Sequence, residues 1–118
     1  MFDFDSYWQS VIRQEEEEMA SFIADDAVIM WACTGEIFSK EEFVKANCYY
    51  PGKWNSERVF LDEIDNRYIS VHRVWNEEGS SHHVTSYLEV SGDKLTKLTE
   101  FWAEDGECPL WRKELLLR

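Results

Sequence analysis

Positive charge is what this chain has least of. Twelve Lys and Arg stand against 24 Asp and Glu in 118 residues, a formal net charge of −12. Such a surface repels phosphate backbones and anionic lipid headgroups, which sets aside nucleic acid and membranes as partners. No stretch approaches the ~20 consecutive apolar residues of a membrane span. Met1 to Asp5 are acidic and lack the form of a signal peptide, so a cytoplasmic protein is expected. Cysteine is scarce too: Cys33, Cys48 and Cys108 make an odd set, with no pair at the two-residue spacing of a zinc knuckle or redox pair. Reduced, structural thiols are the expectation. His72, His82 and His83 add no local metal pattern, and no Gly-rich phosphate loop is present. No metal or other cofactor is therefore expected. Repeats, linkers and low-complexity segments are also missing, so residues 1–118 read as one domain, long enough to bury a core without staples.

Aromatic residues, by contrast, are plentiful: six Trp and seven Phe. They fill wide, irregular spaces with few rotatable bonds, which suits a core, a pocket or an interface. From Asp3 to Ile23 the apolar residues Phe4, Trp8, Val11, Ile12, Met19, Phe22 and Ile23 recur at helical spacing. The run Glu15–Glu18 interrupts them, either as a break between two helices or as one exposed turn, and Asp3 or Asp5 is a plausible N-cap. Asp25-Asp26 ends this stretch, and Ala27–Trp31 reads as a short strand followed by a turn at Thr34-Gly35. Ser39 and Glu42 form a capping box for a helix to about Tyr49, stopped by Pro51-Gly52. Four strands follow, over Trp54–Ile64, Tyr68–Trp75, His82–Val90 and Leu95–Ala103, joined by turns at Asp65-Asn66, Asn76–Ser80 and Ser91–Asp93. Helices first and strands later argue an α+β fold built on an antiparallel meander. The tail, Leu110 to Arg118, carries Trp111 and three further leucines and is expected to pack on this chain or a partner.

Within the last strand, alternation puts Leu98, Glu100 and Trp102 on one face. A carboxyl group between two large apolar residues must find a partner or keep its proton. Glu100 is therefore a candidate acid or base, or a satisfied buried group paired with His82, Arg73 or Arg58.

The order helix, short strand, helix, meander resembles the nuclear transport factor 2-like superfamily, and its SnoaL-like branch in particular. The residues that carry the resemblance are Phe22–Trp31, Ser39–Phe43 and Gly92–Leu95 leading to Glu100-Phe101-Trp102. It implies a cystatin-like cone: N-terminal helices packed in the concave face of a strongly curved antiparallel sheet, with a pocket at the open end and often a homodimer through the outer sheet face. Set against the steroid isomerases of the superfamily without gaps, Tyr7 matches their oxyanion-hole Tyr. Trp31 replaces the general-base Asp and Ser86 the neutral Asp. Only the Tyr survives, so that isomerase mechanism is not expected. The same alignment turns Val84, Ser86 and Leu88 toward the pocket together with Leu98, Glu100 and Trp102, and alternation adds His82. In SnoaL-like cyclases an acidic residue of the last strand, similar in position to Glu100, acts as acid/base.

The expected site thus gathers Glu100 and His82 as catalytic candidates, with Tyr7, Trp31, Asn47, Ser86 and Trp102 as ligand contacts, in a mostly apolar cavity with a few convergent polar groups. Three functions remain open. One is a pocket that binds a small apolar molecule with a carbonyl or ring oxygen. Another is a cofactor-independent isomerase, cyclase, dehydratase or hydrolase using Glu100. The third is a dimeric interaction module whose contact is formed by His83, Tyr87 and Phe101.

Overall fold

The computed structural model describes residues 1–116. Leu117 and Arg118, at the end of the tail, lie outside the described residues. Helix α1 (Phe4–Arg13) starts where Asp3 accepts a hydrogen bond from the Ser6 backbone N–H at 3.1 Å, which satisfies one of the free amides of the first turn. Gln14 ends it in the left-handed region, φ 57°, so the Glu-rich interruption is a true break and α2 (Glu16–Ser21) is a separate helix. Glu16, Glu17 and Glu18 occupy its first turn, where carboxylates oppose the positive end of the helix dipole. Strand β1 (Ile23–Trp31) follows, then a short β2 (Glu36–Phe38). Helix α3 (Lys40–Cys48) carries the expected capping box: Ser39 Oγ accepts from the Glu42 N–H at 3.2 Å, and Glu42 Oε1 from the Ser39 N–H at 2.9 Å. Strands β3 (Trp54–Ile64), β4 (Arg67–Asn76), β5 (Ser81–Ser91) and β6 (Lys94–Glu104) form the meander, and α4 (Leu110–Leu115) closes the described chain.

All six strands join one sheet in the order β2-β1-β6-β5-β4-β3. Register shifts between Arg58 and Phe60 and between Glu89 and Val90 mark bulges, which bend their strands and curve the sheet. Three details differ from the sequence reading. The sheet is not wholly antiparallel, because β1 runs parallel to β6. β1 begins at Ile23, four residues before Ala27: Asp25 and Asp26 sit at exposed positions of the strand and do not terminate the segment before it. β2 was not expected at all, since three residues are too few for a period to show.

The concave face packs on the helices. Phe4, Tyr7, Trp8 and Val11 of α1, Met19 of α2 and Phe43 and Val44 of α3 meet Ile29, Val74, Val84, Leu88 and Leu98 of the sheet. By contrast α4 buries nothing. Leu110, Trp111 and Leu115 are 73%, 64% and 74% exposed, so the described tail does not pack on its own chain.

Among the described residues five polar ones are buried, Ser10, Ser70, His72, Ser86 and Glu100, and His72 is the one stacked on aromatic rings. His72 is 1% exposed and stacks on Trp8, ring centroids 4.0 Å apart, with Phe4 beyond at 6.0 Å. Neither ring nitrogen has a hydrogen-bond partner among the described residues. Burial, and secondarily the Arg58 charge, push its pKa from 6.5 down to about 4, while Asp5 pulls weakly the other way. The fold thus holds a neutral imidazole that the unfolded chain protonates below pH 6.5. The stability this provides is complete above that pH and is lost as pH falls toward 4, by about 3 kcal/mol. Urea denaturation at pH 7 and pH 4.5 will show a fall in stability in the wild type, and His72→Phe will reduce that fall.

Candidate functional site

Glu100 is held by the strands on either side of it. In the ladder it stands opposite Ser86 of β5 and opposite Trp31 of β1. Those two neighbours donate to it: Trp31 Nε1–H to Oε1 at 3.1 Å and Ser86 Oγ–H to Oε2 at 2.6 Å. The Trp102 indole N–H lies close enough to help hold the ionised form, yet it falls outside hydrogen-bonding geometry and is buried without a partner. Glu100 is 4% exposed, and burial raises its pKa; the three nearby donors offset part of that rise. Arg58 is engaged by Asp5 at 2.5 Å and Arg73 by Asp105 at 3.8 Å, so neither guanidinium neutralises Glu100.

The carboxyl opens onto a cavity of about 350 Å³ between the sheet and the ends of α1 and α3. Trp31, Trp54 and Trp102 form much of its wall, with Tyr50, Val11 and Val74. Its polar lining includes His82, Asn47, Gln14 and Glu36 besides Glu100. Five of the seven expected residues therefore converge: Glu100, His82, Trp31, Asn47 and Trp102. Ser86 stands behind Glu100 as its donor rather than in the lining. Tyr7 is 2% exposed, packed against Phe2, Phe4 and Phe22. Its hydroxyl pKa is raised well above 10.0 by burial and then by the Glu100 charge, but it too lies outside the lining.

No hydrogen bond joins His82 to Glu100. His82 pairs with Glu104 in the ladder, four residues further along β6, and its ring lies 6.3 Å from both Trp54 and Trp102. Asn47 uses its amide N–H on the Val11 carbonyl at 2.9 Å. Gln14, not singled out from the sequence, donates to the carbonyls of Asn47 and Tyr50 at 2.9 and 2.8 Å and ties the end of α1 to the end of α3. Trp54 and Tyr50 were missed as well. The signal for Trp54 was the Pro51-Gly52 turn just before it. Gly52 has φ 102°, and a Cβ there would meet Trp54 Nε1 at 3.7 Å, so the turn brings the chain close against this indole. Among the described residues no cluster of three His, Cys, Asp or Glu side chains could hold a metal, and no helix is long and apolar enough to cross a membrane.

No family model matches the sequence, and no curated protein matches it. Solved structures do. A candidate ketosteroid isomerase from Kribbella flavida superimposes with a TM-score of 0.82 at 22% identity, over 98% of this chain and 85% of that one. An NTF2-like protein of unknown function from Burkholderia xenovorans gives 0.80 at 19%, over 98% and 91%. A candidate SnoaL-like polyketide cyclase from Shewanella putrefaciens gives 0.73 at 7%, over 85% and 86%. The chain is an α+β cone. Its fold is the nuclear transport factor 2-like fold of the SnoaL-like proteins.

Because the folded pKa of Glu100 is raised, the folded chain keeps a proton there that the unfolded chain gives up. The stability this provides is present at low pH and is lost as pH rises through the folded pKa. Glu100→Gln, which cannot ionise, will gain stability relative to the wild type as pH rises above the ordinary carboxyl value of 4.5; thermal melts across a pH series will measure it.

Proposed function

We propose that this chain is a cytoplasmic, SnoaL-like binding protein for a small, largely apolar molecule that carries a carbonyl or ring oxygen. The observation that carries this reading is the cavity itself, which has aromatic and aliphatic walls and one buried carboxyl group at its inner side. Glu100 lines this cavity and provides its buried polar contact, a donor to the ligand's oxygen when protonated and an acceptor when ionised. Trp31 and Ser86 hold the Glu100 side chain in place, so its oxygens are preorganised before any ligand arrives. Similarity to candidate isomerases and cyclases adds that this fold can support chemistry on such molecules, but the chemistry is decided by the residues of each site.

A second reading, acid/base catalysis, is favoured by one specific feature. The raised pKa of Glu100 moves a cavity carboxyl toward the range where it can both take and give a proton near neutral pH. In this reading Glu100 is the acid or base, and His82, nearer the rings of Trp54 and Trp102, acts on another part of the substrate. The homodimer would form through the outer sheet face, where Tyr87 and Phe101 are 47% and 43% exposed and meet edge to face at 6.1 Å, with His83 beside them. The same contact serves the interaction-module alternative, in which the cavity has no guest.

Native mass spectrometry of gently purified protein will retain a small molecule of defined mass; a cavity that is empty in every preparation counts against binding. Once a ligand is known, its turnover must collapse in Glu100→Gln if the enzyme reading holds. Sedimentation will show a dimer that Phe101→Glu dissociates.

A further inference from the structure

The rings around the cavity form a connected series. Trp31 and Trp102 meet at 65° with centroids 6.2 Å apart, and Trp102 and His82 at 78° and 6.3 Å. His82 and Trp54 follow at 59° and 6.3 Å, then Trp54 and Tyr50 at 49° and 5.6 Å. Neighbouring rings are steeply inclined and do not stack flat on one another, and all five residues line the cavity. The face of an indole is the negative part of its quadrupole, and such a face attracts cations.

The polar groups have the same sign. Among the described residues no Lys or Arg lines the cavity, whereas two carboxyl groups do, Glu100 inside and Glu36 at the strand edge. Gln14 and Asn47 commit their amide N–H groups to backbone carbonyls, which leaves their oxygens as the uncommitted polar atoms. Over the whole chain the charge of −12 draws cations toward the surface and repels anions.

We propose that the cavity selects an organic cation: an ammonium compound with apolar substituents, its positive centre held among the faces of Trp31, Trp54 and Trp102 beside Glu100. The inference rests on the binding-pocket reading and narrows its ligand class. A carbonyl or ether oxygen on the same molecule keeps the ligand within the class proposed above, as an oxygen-bearing amine. A cation beside Glu100 favours the ionised carboxylate, any proton passing to solvent water, and the donors Trp31 and Ser86 already in contact with the carboxyl stabilise that charge.

Three probes that share a phenyl ring separate the two readings: phenyltrimethylammonium, its neutral carbon isostere tert-butylbenzene, and acetophenone. Tryptophan fluorescence titrations at physiological salt will show phenyltrimethylammonium binding at least ~10-fold more tightly than tert-butylbenzene, as expected for a cation in a desolvated ring of indoles. Trp54→Leu and Glu100→Gln will each reduce that preference by ~5-fold or more. Equal affinity for the cation and its isostere, with acetophenone bound, overturns the cation inference and leaves the binding pocket standing. A cation preference unchanged in both variants places the probe on the acidic surface and overturns the inference as well. Failure of all three probes to bind removes both readings.

Discussion

One buried carboxyl group organises the site. Glu100 is placed in the middle of the sheet by its register with Trp31 on one side and Ser86 on the other, and both neighbours spend their donors on it. A carboxyl group removed from water is costly unless its oxygens are satisfied. Here the satisfaction comes from two strands far apart in sequence, 69 and 14 residues away from Glu100. The indole of Trp31 therefore has two duties. Its N–H fixes the carboxyl, and its ring, set edge-on against Phe38 and Trp102, walls the cavity.

The polar groups of the concave face divide into two kinds. Glu100, at the cavity, and Ser86 behind it are partnered, whereas His72 and Ser70, two residues before it on β4, are buried with no partner among the described residues. His72 is tolerated because aromatic stacking on Trp8 replaces solvent on the face of its ring, and because loss of its charge removes most of the desolvation cost. The same helix, α1, is held at its far end by Gln14, whose amide clasps the last turn of α3. The hollow between sheet and helices is thus framed by three contacts: Trp8 on His72, Gln14 on α3, and Trp31 on Glu100.

Much of this was readable from residue types and spacing. The caps at Asp3 and Ser39, the turn at Asp65-Asn66 and the alternation of Leu98, Glu100 and Trp102 are local features. Backbone sterics and hydrogen bonding within a few residues dictate them. What went unread is non-local. The short β2, the parallel pairing of β1 with β6 and the outward placement of Asp25 and Asp26 depend on which strand lies alongside, and no period within the segment reports that. Tyr7 illustrates the limit from the other side: a helix position that matched a pocket residue by alignment is packed among Phe2, Phe4 and Phe22, outside the cavity lining.

Taken alone, the amino-acid sequence determined the class of fold, the face on which Glu100 stands and the acidic, aromatic character of the molecule, because these follow from composition and from periods of two and 3.6 residues. Only the tertiary structure decided that Trp54 and Tyr50 join Trp31 and Trp102 around one hollow, that Ser86 serves Glu100 from behind, and that His82 stands apart from it. Those relations bring together residues from opposite ends of the chain. They arise from sheet curvature and strand register, which are settled when all the elements pack at once.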